Sequence, residues 1–273
     1  MSRSRRKSFS LGLGAEDMTV VDLATRRPLT SLPLAAYVPG VAHIAHADWQ
    51  PLIAALVAQA DLADGADLQV TVSDVWSRSW MFSVPVGVNT LDELQALAAA
   101  RFEALFGIAP EGWQLMADWK ASGDIMACAL PMRLLEALQS EAGQKGWRVR
   151  SIQPSLVRLL GAWMKQIPDD AWVACYGLHS MTLVRVAEGE VRHIRRHPFL
   201  VPPDASVLQS LVEVEMLRLG QVAPEALCVL GMTPSFDAGV KVAGMRLIQA
   251  RRGGTSPGTL SESLMLGLQG IAE

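Results

Sequence analysis

Phe9–Ala24 reads FSLGLGAEDMTVVDLA, and Trp172–Ala187 reads WVACYGLHSMTLVRVA. Each is an apolar run that breaks near a glycine and then resumes, the pattern of a β-hairpin. Laid over one another without a gap, the two stretches align Gly14 with Gly177, Met18 with Met181, Thr19 with Thr182, Val21 with Val184 and Ala24 with Ala187. Each hairpin also opens a half in which strands precede helices. A duplicated α/β unit accounts for both, and it predicts Gly14 and Gly177 on facing turns across a cleft between two lobes.

Working outward, residues 1–8 form a flexible basic tail and 9–167 a first lobe, into which a middle subdomain of about 68–153 is inserted. Residues 168–273 form a second lobe. Pro168 to Ala171 marks the boundary, and Gly253 to Gly258 a loop. Thr25–Ala47 holds a third strand and loops, and a helix capped by Asp48 runs from Trp49 to Ala60. Leu68–Val84 alternates at period two around Asp74, as a long strand or hairpin does. Thr90–Phe106 is the clearest helix: Thr90 caps it, Glu93 completes a capping box, and Leu94, Ala98, Phe102 and Leu105 line one face. Strands follow at Trp113–Trp119 and Asp124–Leu130, a helix at Met132–Gln144, a strand at Trp147–Gln153 and a helix at Ser155–Gln166. The second half has a meander, Trp172–Val186 and Glu190–His197, then a helix Val207–Leu219, a strand Ala226–Gly231 and a final helix Leu260–Ile271.

Half of the 273 residues are hydrophobic and 19% are charged, which excludes a disordered chain. A net charge of -3 gives no overall field toward nucleic acid or membrane. The longest apolar runs, Leu52–Ala58 and Cys128–Met132, fall far short of the ~18 residues of a spanning helix. Phe9–Leu13 is too short for a signal peptide, so the chain reads as cytoplasmic. Cys128, Cys175 and Cys228 stand in apolar strand-like runs with no metal or redox spacing, as buried reduced thiols do.

The paired hairpins resemble those of the actin, sugar-kinase and heat-shock ATPases, in which each carries an Asp-x-Gly and grips ATP phosphates. The resemblance implies a duplicated actin-like, ribonuclease H-like fold with two lobes around a cleft. It also exposes what is missing: the aspartate positions are Gly12 and Cys175, ahead of Gly14 and Gly177. Neither supplies the hard oxygen that Mg²⁺ requires, and phosphoryl transfer rests on positioned metal and charge. Leu227–Thr233 (LCVLGMT) resembles the adenosine-covering turn with its glycines reduced to Gly231. Gly12, Gly14, Cys175, Gly177 and Gly231 thus mark a vestigial cleft, with no cofactor expected and no metal. An ATP-binding enzyme of the same fold, using Mg-ATP through substitutes for the lost aspartates, is the alternative. An unrelated regulatory module is another.

More specifically, Leu68–Arg78 (LQVTVSDVWSR), Arg101–Gly107 (RFEALFG), Trp113 and Gly146–Pro154 (GWRVRSIQP) resemble, in order and spacing, the cytoplasmic domain of GspL-type secretion proteins and the pilus-assembly protein PilM. That resemblance implies a non-catalytic scaffold of a type IV pilus or type II secretion platform. Its partners would be an inner-membrane assembly protein with a short cytoplasmic tail, and a secretion ATPase. Asp74, Trp76, Arg78 and Trp80 are the partner-binding candidates, with the tail in a groove between their strand and the helix Leu91–Phe106 and tryptophans as anchors. Most of the eight tryptophans are expected in the core.

Other conspicuous residues carry plainer readings. His43 and His46 lack an acidic or thiol partner at ligand spacing and read as loop residues. Arg192, His193, Arg195, Arg196 and His197 suit a charged edge strand, or an acidic partner tail. Arg3, Arg5, Arg6 and Lys7 suit a disordered tail or anionic lipid. No nucleophile elbow and no glycine loop ending in lysine is present.

Overall fold

The protein's structure, a computed structural model, describes residues 6–34, 45, 47–60, 62, 64–120, 122–232, 236, 240–249 and 261–269. His43, His46, Arg3, Arg5 and the loop 253–258 lie outside them. In chain order the elements are β1 (Ser8–Leu13), β2 (Asp17–Asp22), β3 (Arg27–Pro33), α1 (Gln50–Ala60), β4 (Asp67–Val72), β5 (Arg78–Ser83), α2 (Leu91–Phe106), β6 (Trp113–Ala117), β7 (Asp124–Pro131), α3 (Met132–Gln144), β8 (Arg148–Pro154) and α4 (Ser155–Trp163). After them come β9 (Ala171–Tyr176), β10 (Ser180–Ala187), β11 (Glu190–Pro198), α5 (Ala205–Leu219), β12 (Ala226–Gly231), β13 (Lys241–Val242), β14 (Met245–Gln249) and α6 (Glu262–Gln269). The chain divides into two compact units, 1–158 with 261–273, and 159–260.

In the first unit, β1, β2 and β3 form an antiparallel meander, and β4 then pairs parallel to β1 and β8 parallel to β4, giving the order β3-β2-β1-β4-β8. The second unit repeats the plan: β9, β10 and β11 form a meander, β12 pairs parallel to β9, and the order is β11-β10-β9-β12-β14-β13. The repeat extends to register. Gly12 pairs with Thr19 and Leu13 with Met18 in one hairpin, while Cys175 pairs with Thr182 and Tyr176 with Met181 in the other. Each turn closes with the same bond, from the Gly14 N–H to the Asp17 carbonyl and from the Gly177 N–H to the Ser180 carbonyl, both 2.8 Å. The gapless overlay of the two sequences is therefore a structural equivalence.

Between β4 and β8 the chain builds an antiparallel sheet, β5-β7-β6, covered by α2. The capping box of α2 forms as its sequence dictates: the Thr90 hydroxyl accepts the Glu93 N–H at 3.2 Å, and the Glu93 carboxylate accepts the Thr90 N–H at 3.0 Å. Gly107, at φ 65°, ends the helix in the left-handed conformation. Beneath α2, Trp80, Phe102, Phe106 and Trp113 make edge and tilted ring contacts with centroids 5.1–6.0 Å apart, part of one core that continues under the five-stranded sheet.

Three expectations differ from the structure. The edges of the middle subdomain, 68 and 153, fall in β4 and β8, which belong to the main sheet, so the insertion spans β5 to β7. Leu68–Val84 is two strands in different sheets, because the turn at Asp74–Trp76 redirects the chain. The final helix, assigned from sequence to the second lobe, groups with the first unit, where α6 packs on β1, β2 and β4. Strands β13 and β14 extend the second sheet beyond the expected elements.

Candidate functional site

The turn joining β1 and β2 carries a buried polar network in the first unit. Gly12 and Gly14 are buried there, without side chains, and α6 fills the space a side chain would need. A Cβ on Gly12 would overlap the Ser263 carbonyl oxygen and lie 2.6 Å from the Gly267 nitrogen. One on Gly14 would lie 2.9 Å from both the Ser263 nitrogen and the Asp17 carboxylate. Real Cβ atoms do not approach backbone so closely, and a side chain here would force α6 away.

The start of α6 supplies the polar groups. The Glu262 carboxylate accepts the Ala15 backbone N–H at 2.5 Å through Oε2 and the Ser73 hydroxyl at 3.0 Å through Oε1. The Ser263 and Thr19 hydroxyls stand 2.5 Å apart, and the Ser263 N–H donates to Asp17 Oδ1 at 3.3 Å. Glu262 is 3% exposed and Ser263 fully buried. The sequence reading passed over both residues, because nothing local separates Ser261-Glu262-Ser263 from an ordinary helix start.

The partner candidates Asp74, Trp76, Arg78 and Trp80 belong to the framework of this region. Trp76, 1% exposed, donates its indole N–H to the Gly14 carbonyl at 2.5 Å and meets the Trp49 ring edge-on. Trp80, 2% exposed, is core beneath α2. Arg78 is buried, donating to the Val75 and Ser77 carbonyls with its guanidinium over Trp113 and Phe106. Asp74, half-buried, accepts the Leu156 N–H at 3.2 Å and so caps the start of α4. The expectation that Trp76 and Trp80 line an open groove is corrected: both rings are spent on the interior, where a large aromatic gains most from burial. What faces the other way is a set of methionines. Along β5 the buried Arg78, Trp80 and Phe82 alternate with the less buried Ser79, Met81 and Ser83. Met81 pairs with Met126, and Met116 with Cys128, on that second face. Burial and the nearby Asp74 push the Cys128 thiol up to about 11.

In the second unit, Cys175 is 2% exposed, between Thr182 and Leu230 in the ladder. Gly231 adopts φ 87°, and a Cβ there would collide with the Tyr176 carbonyl, whose oxygen accepts the Met232 N–H at 2.9 Å. Its glycine is demanded by the strand end itself. The basic run on β11, an edge strand, gathers around an acid that the sequence reading missed. Glu215, 1% exposed, receives His193 Nε2 and Arg195 Nε at 3.2 Å each, with Arg218 at 3.7 Å and His197 at 4.0 Å. Arg192 instead pairs with Glu188 and Glu190. Burial holds both histidines below their ordinary value, against the pull of Glu215.

Each hairpin lacks the carboxylate that a magnesium ion would need at that position. Gly12 and Cys175 bring no carboxylate, and at Gly12 the helix backbone occupies the room in which one would stand. Among the described residues there is also no cluster of three or more His, Cys, Asp or Glu suited to a metal ion, and no helix long and apolar enough to cross a membrane.

No protein-family model matches the chain, and no curated protein does. Solved structures do. The cytoplasmic domain of EpsL, an inner membrane component of the type II secretion system of Vibrio cholerae, matches with a TM-score of 0.52 at 12% identity, over 97% of this chain and 94% of that one. The PilM–PilN type IV pilus biogenesis complex matches with a TM-score of 0.58 at 15% identity, over 97% of each chain. A Bacteroides thetaiotaomicron protein with an actin-like ATPase fold matches with a TM-score of 0.57 at 8% identity, over 90% of this chain and 91% of that one.

Proposed function

Since the chain has the two-lobed actin-like fold of these proteins, we propose that it is a non-catalytic adaptor of a type IV pilus or type II secretion assembly, working by holding the cytoplasmic tail of an inner-membrane partner. The observation that carries this reading is the likeness over nearly the whole length to the EpsL cytoplasmic domain and to PilM–PilN. Absence of turnover is supported by the hairpin itself, where α6 stands against Gly12 and no acidic side chain has room.

The tail adds as a strand to the edge of β5, using backbone hydrogen bonds for affinity. Its side chains rest on Met81 and, one strand further in, on Met126, since flexible thioethers adapt to varied partners. Trp80 supports this surface from within. The protein acts at the cytoplasmic side of the inner membrane, held there by its partner, with a secretion ATPase as a second contact.

The test is titration of the purified chain with peptides copied from the cytoplasmic tails of inner-membrane proteins encoded beside it. Saturable binding that is weakened by Met81→Gln and unaffected by Mg-ATP is expected. Failure of every such tail to bind would remove the reading.

A further inference from the structure

The β1–β2 turn is a small-oxyanion site in its own right, and we infer that Glu262 occupies it in cis as a built-in ligand. The inference goes beyond the adaptor reading and does not depend on it. Two donors converge on one carboxylate: the Ala15 N–H on Oε2 and the Ser73 hydroxyl on Oε1. They come from the turn after β1 and the segment after β4, strands that pair side by side through Leu13 and Val72. Ser73 is itself anchored, its N–H donating to the Leu13 carbonyl at 2.8 Å. The Ser73 donor is therefore held by the sheet, and a backbone N–H with a fixed hydroxyl is the donor set that grips carboxylate or phosphate oxygens.

The carboxylate arrives from far along the chain, 247 positions from Ala15, and three further features seat it. Gly12 lets the helix backbone approach, the Ser263 hydroxyl meets Thr19, and the Ser263 N–H reaches Asp17. Trp76 holds the turn from below through the Gly14 carbonyl. With Glu262 in place the turn is closed to any other anion. Without its side chain the same donors are buried and short of an acceptor, which favours entry of a small oxyanion.

Two variants test this. Glu262→Ala removes the internal ligand, and its thermal unfolding is followed with sodium formate, sodium phosphate or sodium chloride at equal ionic strength. Formate or phosphate at about ten times its Kd is expected to raise the melting temperature of E262A by about 3 °C over chloride, with no such difference in the wild type. Formate alone acting would mark the site as fitted to carboxylates, and phosphate acting would extend it to phosphoryl groups. The same response to all three salts, or the same anion effect in the wild type, overturns the inference. Should E262A not fold, Glu262→Gln keeps the shape while removing the charge. The Ala15 amide proton is then expected to move upfield from its wild-type resonance, and an unmoved resonance overturns the inference equally.

Discussion

Gly12 on β1 and Gly267 on α6 meet backbone against backbone: a Cβ built on Gly12 would lie 2.6 Å from the Gly267 nitrogen. Gly12, where the sequence reading expects a missing aspartate, is thus a helix contact in this chain. Gly12→Ala is expected to cost about 1–3 kcal/mol, and Gly12→Asp more, because a charge would be buried beside the Ser263 carbonyl. Urea unfolding of the two variants measures this. A Gly12→Asp protein as stable as the wild type would show that α6 does not pack as described.

The tryptophans and the methionines of the β5 region separate by the same measurement. Trp76→Ala and Trp80→Ala each remove a ring that is at most 2% exposed, and should cost about 3–5 kcal/mol. Met81, on the less buried face of β5, should tolerate glutamine with a change under about 1 kcal/mol. Denaturation midpoints in this order confirm the division between support and surface. Trp80→Ala unfolding like the wild type would return the ring to the surface.

For the Glu215 cluster the sign of the pH effect follows from the histidines. His193 and His197 lie below their ordinary value of 6.5, chiefly through burial, so the unfolded chain binds more protons than the folded one as pH falls past that value. The stability these groups contribute is present above about 6.5 and drains away below it. Arg195 and Arg218 share the Glu215 carboxylate and add repulsion once the rings charge. Thermal unfolding between pH 7.5 and 5.5 is expected to show falling stability, reduced in slope by His193→Gln. A flat profile in the wild type would show that the rings titrate freely in the fold.

Nucleotide gives a fourth check. A ligand that binds only the native state raises the melting temperature by mass action, so millimolar Mg-ATP is expected to leave this chain's transition where it is, and to release no phosphate above background. A magnesium-dependent shift would show that other residues have replaced the missing aspartates.

What was legible in the sequence was local. Alternation and turn glycines located both hairpins, and the overlay of Gly14 on Gly177 carried through to hydrogen-bond register, because a hairpin's pairing is set within a few residues of its turn. The Thr90–Glu93 capping box was equally local. Long-range returns were not legible. Nothing near Glu262 announces that its carboxylate will meet Ala15, and nothing in the spacing of β11 points to Glu215 on α5. Trp76 and Trp80 differ from the expectation for a related reason: an aromatic-rich stretch has the same composition whether its rings face a partner or the interior, and Trp49 decides the matter for Trp76 and Phe102 on α2 for Trp80.

The central claim is that this chain holds a membrane partner's tail and does not turn over nucleotide. Its most direct test is calorimetric titration of the wild-type protein with a cytoplasmic-tail peptide from an inner-membrane protein encoded alongside, with and without Mg-ATP. Saturable one-to-one binding with the same affinity in both conditions is predicted, and lost affinity in Met81→Gln with Trp80 intact. Tail binding that appears only with Mg-ATP, or no tail binding beside measurable ATP hydrolysis, would contradict it.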